Sequence, residues 1–224
     1  MKLKRSKAEI IFIYISTIIT CFFFLYPFWI ALWTALKTIP QIFSTPVYEP
    51  VWNITLQPFI KAWQSLNMPM IISFKISFVA MIISIIFGVF GGYTLARAKF
   101  KGATIILTLC VFGMYIPPIT KVLPTLLLIR SLKLYNSIWG VGIAVGSMML
   151  PITTILYRQF YVKFPEEYFE AAEIDGANHL DILRWIILPL SKIPTVTVAV
   201  LSFAVGWNVL LLPLVLTTGT IDKR

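Results

Sequence analysis

The chain has 224 residues, of which 58% are apolar and 12% charged, with a formal net charge of +10 and a mean hydropathy of +0.87. Soluble globular chains carry about 25% charged residues, so this composition excludes an ordinary water-soluble core and makes a bilayer the solvent. Lysines and arginines cluster at the ends of apolar runs and not on one groove-facing surface, which argues against nucleic-acid binding and for the positive-inside bias of membrane proteins.

The inventory of reactive groups is small. Cys21 and Cys110 both fall inside apolar runs, where thiols behave as small hydrophobes, so neither a disulfide nor a metal site is expected. His179 is the single histidine, too few for a zinc or catalytic cluster. No catalytic residue is expected.

In chain order, Lys2, Lys4, Arg5 and Lys7 precede an apolar run over residues 10–36. A cleavable signal has an apolar region of about 7–15 residues, so this run reads as an uncleaved first span. Its aromatic-rich second half, with Tyr26, Trp29 and Trp33, suits the bilayer interface. A span needs about 20 apolar residues, and four further stretches qualify: 70–96, 103–129, 137–157 and 190–212. Arg97, Lys99 and Lys101 lie in the turn after the second span. Arg158, Lys163, Arg184 and Lys192 flank or occupy the loop after the fourth. Taking the spans in turn, all three basic clusters fall on one side, which is then the cytoplasm. The N-terminus is cytoplasmic, and residues 37–69 are external. Asn53-Ile54-Thr55 there is formally a glycosylation acceptor, a pattern common by chance. Residues 217–224 end outside, so the chain is either an odd-span protein or one truncated before a sixth helix.

Several polar or helix-breaking residues lie within these spans. Pro117, Pro118 and Pro124 interrupt the third, with Lys121 between them. Such breaks persist in membranes only when buried in protein or lining a wet cavity. The segment is either a discontinuous helix bordering a solute path or a kinked end with a snorkelling lysine. Gly88-x-x-x-Gly92 and Gly142-x-x-x-Gly146 each place small residues one turn apart, which predicts close helix packing. Asn208, after Trp207, needs a partner in an apolar stretch, and an interhelical hydrogen bond is expected ahead of direct solute contact.

The most informative segment is 166–189. Glu166, Glu167, Glu170, Glu173, Asp175 and Asp181 are six of the nine acidic residues in the chain. Pro165 suits a first helical position, and Glu166 and Glu167 complement the helix dipole. Gly176 supplies a stop in the left-handed conformation. Asn178 caps a second helix, with Asp181 completing a capping box, and Pro189 marks entry into the fifth span. Acidic side chains beside the small Ala171 and Ala172 suit insertion into a partner's cleft; a plain solvated acidic loop has the same local pattern.

Glu170-Ala171-Ala172, then Gly176, then Ile186-x-Leu188-Pro189, with Asp175-Gly176-Ala177 between, resembles the EAA loop of binding-protein-dependent ABC importer permeases. Tyr93-Thr94-Leu95-Ala96-Arg97, Lys99-Phe100-Lys101-Gly102, Pro165-Glu166-Glu167 and Trp207-Asn208 look like the carbohydrate-importer subfamily, on the maltose-permease G-subunit side. The likeness covers about residues 67–216 plus a similar first span. Two departures stand out: Val209 replaces a frequent acidic residue after Trp-Asn, and the family usually has six spans.

The resemblance implies an all-α, polytopic transmembrane helical bundle with the type I ABC importer permease fold. It implies an N-terminal helix and external segment over 1–66, and a transmembrane domain over 67–224 carrying a coupling loop at 160–189. It further implies a permease subunit for a sugar or oligosaccharide in the cytoplasmic membrane of a prokaryote. Its partners would be cytoplasmic ATP-binding cassette subunits, a second permease subunit, an external solute-binding protein and membrane lipid. By that likeness Glu170 pairs with basic groups of the ATPase, Ala171 and Ala172 allow close docking, and Gly176 sets the bend, with Asp175 and Ala177 beside it among the ATPase-coupling residues. Pro117, Pro118, Lys121 and Asn208 are candidates for the solute path. The chain has no Gly-rich phosphate loop followed by Lys-Ser/Thr, so ATP and Mg belong on the partner and no cofactor is expected on this chain. The alternatives are a permease for glycerol phosphate or a polyol, and a non-transporting truncated scaffold.

Overall fold

A computed structural model describes residues 6–50, 54–97 and 101–218. The expected Lys2, Lys4, Arg5, Asn53, Lys99 and most of the 217–224 tail lie outside the described residues. Helix dominates, and there is no strand among the described residues. The chain divides into two units, Met1–Met68 and Pro69–Arg224.

In the first unit, α1 (Lys7–Ala35) starts at a capping box: Ser6 Oγ accepts from Glu9 N–H, and the Glu9 carboxylate accepts from Ser6 N–H. Most of its apolar side chains are exposed, as expected of a helix whose solvent is lipid. After it, α2 (Ile39–Ser44) is held by Lys37. That side chain is buried, and its ammonium donates to Thr45 Oγ1 at 3.0 Å and to the Pro46 carbonyl at 2.7 Å.

α3 (Gln57–Arg97) begins well before the expected start at residue 70 and carries Pro69 inside it. The early start follows from Pro58, which suits a helix's first turn. The buried residues of α3 run from Ile76 to Leu95, within the second unit. There, α6 (Ile138–Tyr161) is the most buried of the three long apolar helices.

The α3–α6 contact is set by the two small-residue motifs. A Cβ on Gly142 would lie 2.6 Å from Val79 Cβ, and one on Gly92 would lie 2.9 Å from the Arg158 backbone nitrogen. Both motifs therefore sit at a close helix–helix approach, as the spacing predicts. The pairs Val79–Gly142, Ile83–Gly146, Gly88–Thr153 and Gly92–Tyr157 ascend together along both helices. α3 and α6 consequently run parallel, and the intervening chain must return from the Arg97 end to the opposite end.

That return is made by α4 (Ala103–Tyr115) and α5 (Pro118–Ser131), which meet at 109°. They act as one broken span, because a re-entrant excursion would leave α6 starting at the wrong end. The break is local chemistry. A residue before proline is pushed to extended backbone, and both Ile116 (ψ 120°) and Pro117 (ψ 139°) precede one. Pro124, expected to contribute to the interruption, lies inside α5 without ending it.

α10 (Lys192–Asn208) runs back the other way. Tyr157 Oη donates to Thr195 Oγ1 at 3.0 Å, while Gly206 meets Ser77. The expected fifth span over 190–212 is thus shorter and broken after Asn208, with α11 (Leu211–Leu216) following. Leu216 O accepts from Asn136 N–H at 2.9 Å, which holds this end beside the start of α6, opposite Arg97.

Candidate functional site

The Arg97 end of the second unit carries the acidic segment. Two helices, α3 and α6, are tied together there before the acidic residues begin. Arg158 Nε donates to the Leu95 carbonyl at 3.1 Å, linking α6 to α3. The Arg97 guanidinium donates to the carbonyls of Tyr161 (3.1 Å) and Phe164 (2.7 Å). These lie at and just beyond the C-terminus of α6, where orphan carbonyls favour a cation. Arg97 and the 158–164 segment therefore occupy one end, in keeping with two of the expected basic clusters.

Next comes α7 (Glu167–Ile174), with Glu166 rather than Pro165 at its boundary. Phe169 and Ala172, three residues apart on one face, are buried. Glu167, Tyr168, Glu170, Ala171, Glu173 and Ile174 are exposed. The buried pair joins Val89, Tyr93, Tyr157, Tyr161, Ile182, Leu183, Ile187 and Val198 in one apolar cluster. Ala172, expected beside Ala171 to admit a partner, is instead packed against the chain's own core. Its small size lets α7 sit close to the bundle, and the face left outward is Glu170, Ala171, Glu173 and Ile174.

Gly176 ends α7 as predicted. Its φ is +80°, its N–H donates to Glu173 O at 3.0 Å, and Ala177 N–H donates to Ala172 O at 2.9 Å. That pair of bonds is a Schellman motif. Asp175 is the last residue before it and is exposed; Ala177 is half-buried. The next helix also starts as predicted. Asn178 Oδ1 accepts from Leu180 and Asp181 N–H, and Asp181 Oδ2 accepts from Asn178 N–H at 3.1 Å.

Beyond that cap the backbone departs from the plain second helix expected from the capping residues. α8 (His179–Ile182) passes through a π-helical turn, Leu183–Ile187, into α9 (Leu188–Leu190). Pro189 has no N–H for the Trp185 carbonyl, and Leu188 N–H bonds Leu183 O in the wider ladder. His179–Leu190 meets Lys192–Asn208 at 76°. Ser191 marks the corner, its hydroxyl donating to Tyr161 Oη at 3.0 Å.

The candidate solute-path residues are not brought together with this segment. Pro117 and Pro118 form the α4–α5 break. Lys121 Nζ donates to Gly113 O at 2.8 Å. In a continuous helix that carbonyl would accept from residue 117, but Pro117 has no N–H, and Lys121 supplies the donor. Lys121→Met removes it and leaves the Gly113 carbonyl short of a partner, at about 1–3 kcal/mol if no water replaces it. We expect a lower thermal midpoint in detergent for Lys121→Met and near-complete retention for Lys121→Arg. Equal midpoints for Lys121→Met and the unaltered chain would refute this role.

Asn208 does not make the expected interhelical bond. Its Nδ2 donates to Ala204 O at 2.7 Å, one turn back on its own helix, and the residue is exposed. A four-residue back-bond satisfies the amide locally, without a neighbour. Nearby lies a cavity of about 310 Å³ between α3 and α10–α11, lined by Pro69, Ile72, Ser73, Gly206, Val209 and Pro213 among others. Its lining is mainly apolar and names no solute.

A helical bundle with a broken span, parallel core helices and a structured loop at one end defines a multi-pass membrane protein. Residues 84–222 match the family described as the binding-protein-dependent transport system inner membrane component, and this chain belongs to that family. It is similar to a probable ABC transporter permease protein of Pyrococcus horikoshii (34% identity over 97% of this chain and 79% of the other). It is also similar to the melibiose/raffinose/stachyose import permease MelC of Bacillus subtilis (31%, covering 93% and 75%). The sn-glycerol-3-phosphate permease UgpE of Yersinia pestis is 27% identical, covering 93% and 76%. Among solved structures, a bacterial ABC transporter for import of the acidic polysaccharide alginate aligns with a TM-score of 0.73 at 21% identity, over 95% of this chain and 76% of that one. The last likeness bears on fold alone. The chain is therefore a permease component of an ABC importer in the cytoplasmic membrane and not itself an enzyme, and ATP hydrolysis belongs to a partner subunit.

Proposed function

We propose that this permease carries a sugar or oligosaccharide and takes its drive through the segment around α7. The observation that carries the coupling reading is an acidic outward face, Glu170, Ala171, Glu173 and Ile174, whose opposite side is sealed into the same apolar cluster as α3, α6 and α10. A partner that moves α7 moves those helices. The partner is a cytoplasmic ATPase with a basic cleft, ATP and Mg bound on it, and the Arg97 end and the N-terminus face the cytoplasm. Glu170 pairs with basic groups of that cleft, Ala171 allows close approach, and Asp175, Gly176 and Ala177 set the angle of the segment. A second permease subunit and an external solute-binding protein complete the assembly. The 67–224 portion is the transport domain, and the α4–α5 break with Asn208 borders the path.

The carbohydrate reading is supported by the oligosaccharide importer among the relatives. The glycerol-3-phosphate permease at comparable identity supports a phosphorylated polyol as the second reading. Calorimetric titration of the companion external binding protein with raffinose-type sugars and with glycerol 3-phosphate separates them.

In a reconstituted importer, Glu170→Lys reverses the charge offered to the cleft. Solute-stimulated ATP hydrolysis should then fall to the unstimulated rate, with membrane insertion unchanged. Undiminished uptake by Glu170→Lys would sink the coupling reading.

A further inference from the structure

Arg97 is the last residue of α3, yet its side chain reaches both α6 and α7. Two of its bonds go to backbone carbonyls at and beyond the end of α6. Its guanidinium carbon lies 3.7 Å from the centroid of the Phe169 ring on α7. A guanidinium is flat, with donors around its edge and a face free to stack, so one group can bond sideways to α6 and lie on α7 at once. An ammonium is attracted to a ring face as well, but as a compact point charge it cannot stack flat on the ring while forking edge-on to two carbonyls.

Two further observations separate this contact from ordinary packing. Arg97 Nε is buried with no hydrogen-bond acceptor, so the group is fixed by its terminal nitrogens and by its face on Phe169. Both hydrogen-bond acceptors are neutral carbonyls, so the group is held by geometry. Arg158 makes the complementary tie from α6 to α3 through Leu95 O. The ends of α3 and α6 are thus already one body, and Arg97 is the cation that joins that body to α7.

We propose that Arg97, stacked on Phe169, is a positioning residue that transmits displacement of α7 to α3 and α6 together, so that solute movement stays tied to ATP hydrolysis. This rests on the reading of α7 as the ATPase contact.

The test uses the whole importer in proteoliposomes and measures solute molecules moved per ATP hydrolysed. Arg97→Gln and Phe169→Leu should each lower that ratio on the order of tenfold, while unstimulated hydrolysis per assembled complex is kept. A loss of folded protein alone would lower uptake and hydrolysis in proportion and leave the ratio intact. Phe169→Leu retains both carbonyl bonds, so it decides the matter if Arg97→Gln fails to assemble. Arg158→Gln, the structural control, should reduce the amount of complex and spare the ratio. An unchanged ratio in Phe169→Leu, or an equal fall in Arg158→Gln, overturns the assignment. Cross-linking from Ile174→Cys to the ATPase tests the underlying reading by itself. Its absence in the otherwise unaltered chain sinks the docking reading, and its persistence with an unchanged ratio sinks only the role of Arg97.

Discussion

Gly176→Pro is expected to abolish solute-stimulated ATP hydrolysis and uptake in the assembled importer while the chain still inserts in the membrane. Residue 176 sits at φ +80°, and proline is held near −65°. Proline also removes the N–H that bonds Glu173 O, so the Schellman motif cannot form. The combined cost is about 3 kcal/mol or more, concentrated where α7 turns into α8. Gly176→Ala isolates the conformational part. A Cβ there would meet nothing within 4 Å, which leaves only the left-handed backbone penalty of about 1–2 kcal/mol. The alanine variant should therefore keep partial coupling. Full activity in the proline variant would show that the angle between α7 and α8 is irrelevant to transport.

The second large effect is on assembly of the bundle. Gly92→Leu should lower the thermal midpoint of the purified chain and the yield of folded protein in membranes. Even a Cβ at this position would lie 2.5 Å from Tyr157 Cβ and 2.9 Å from the Arg158 nitrogen. The second contact is backbone, so α6 cannot yield by a rotamer change and the two helices must separate. Overpacking of this kind costs about 1–3 kcal/mol, and the separation strains the Arg158–Leu95 and Arg97–Tyr161 bonds at the same end. Phe90→Leu, on an exposed position of the same turn, should leave the midpoint unchanged. A Gly92→Leu chain as stable as the parent would mean that α3 and α6 do not approach this closely in the membrane.

Local rules reached furthest where the determining chemistry is short-range. The stop at Gly176, the cap at Asn178 with Asp181, and the break at Pro117-Pro118 each depend on residues within one turn of one another. Periodicity was less informative in the same segment. Phe169 and Ala172 face inward, but a helix this short offers too few turns to tell a face packed on its own bundle from one offered to a partner. The inward packing of Ala172 was not legible for that reason, and the interhelical bond expected of Asn208 is absent because a four-residue back-bond satisfies the same donor within its own helix. Arg97 belongs to a recognisable family stretch, yet its contacts with residues 161, 164 and 169 are far away in sequence and carry no local signature.

The sequence by itself determined that the chain is a membrane bundle, because apolar run length and charge placement respond directly to the bilayer. It also determined where the acidic segment bends, because caps are local. Taking the spans in turn also put 103–129 in one crossing and the second and fourth spans in the same direction; only the tertiary structure decided which faces of α3 and α6 meet, and that the acidic helix is sealed to the bundle under Arg97. Those features depend on which helix faces meet, and a one-dimensional pattern records that a face exists without recording its neighbour.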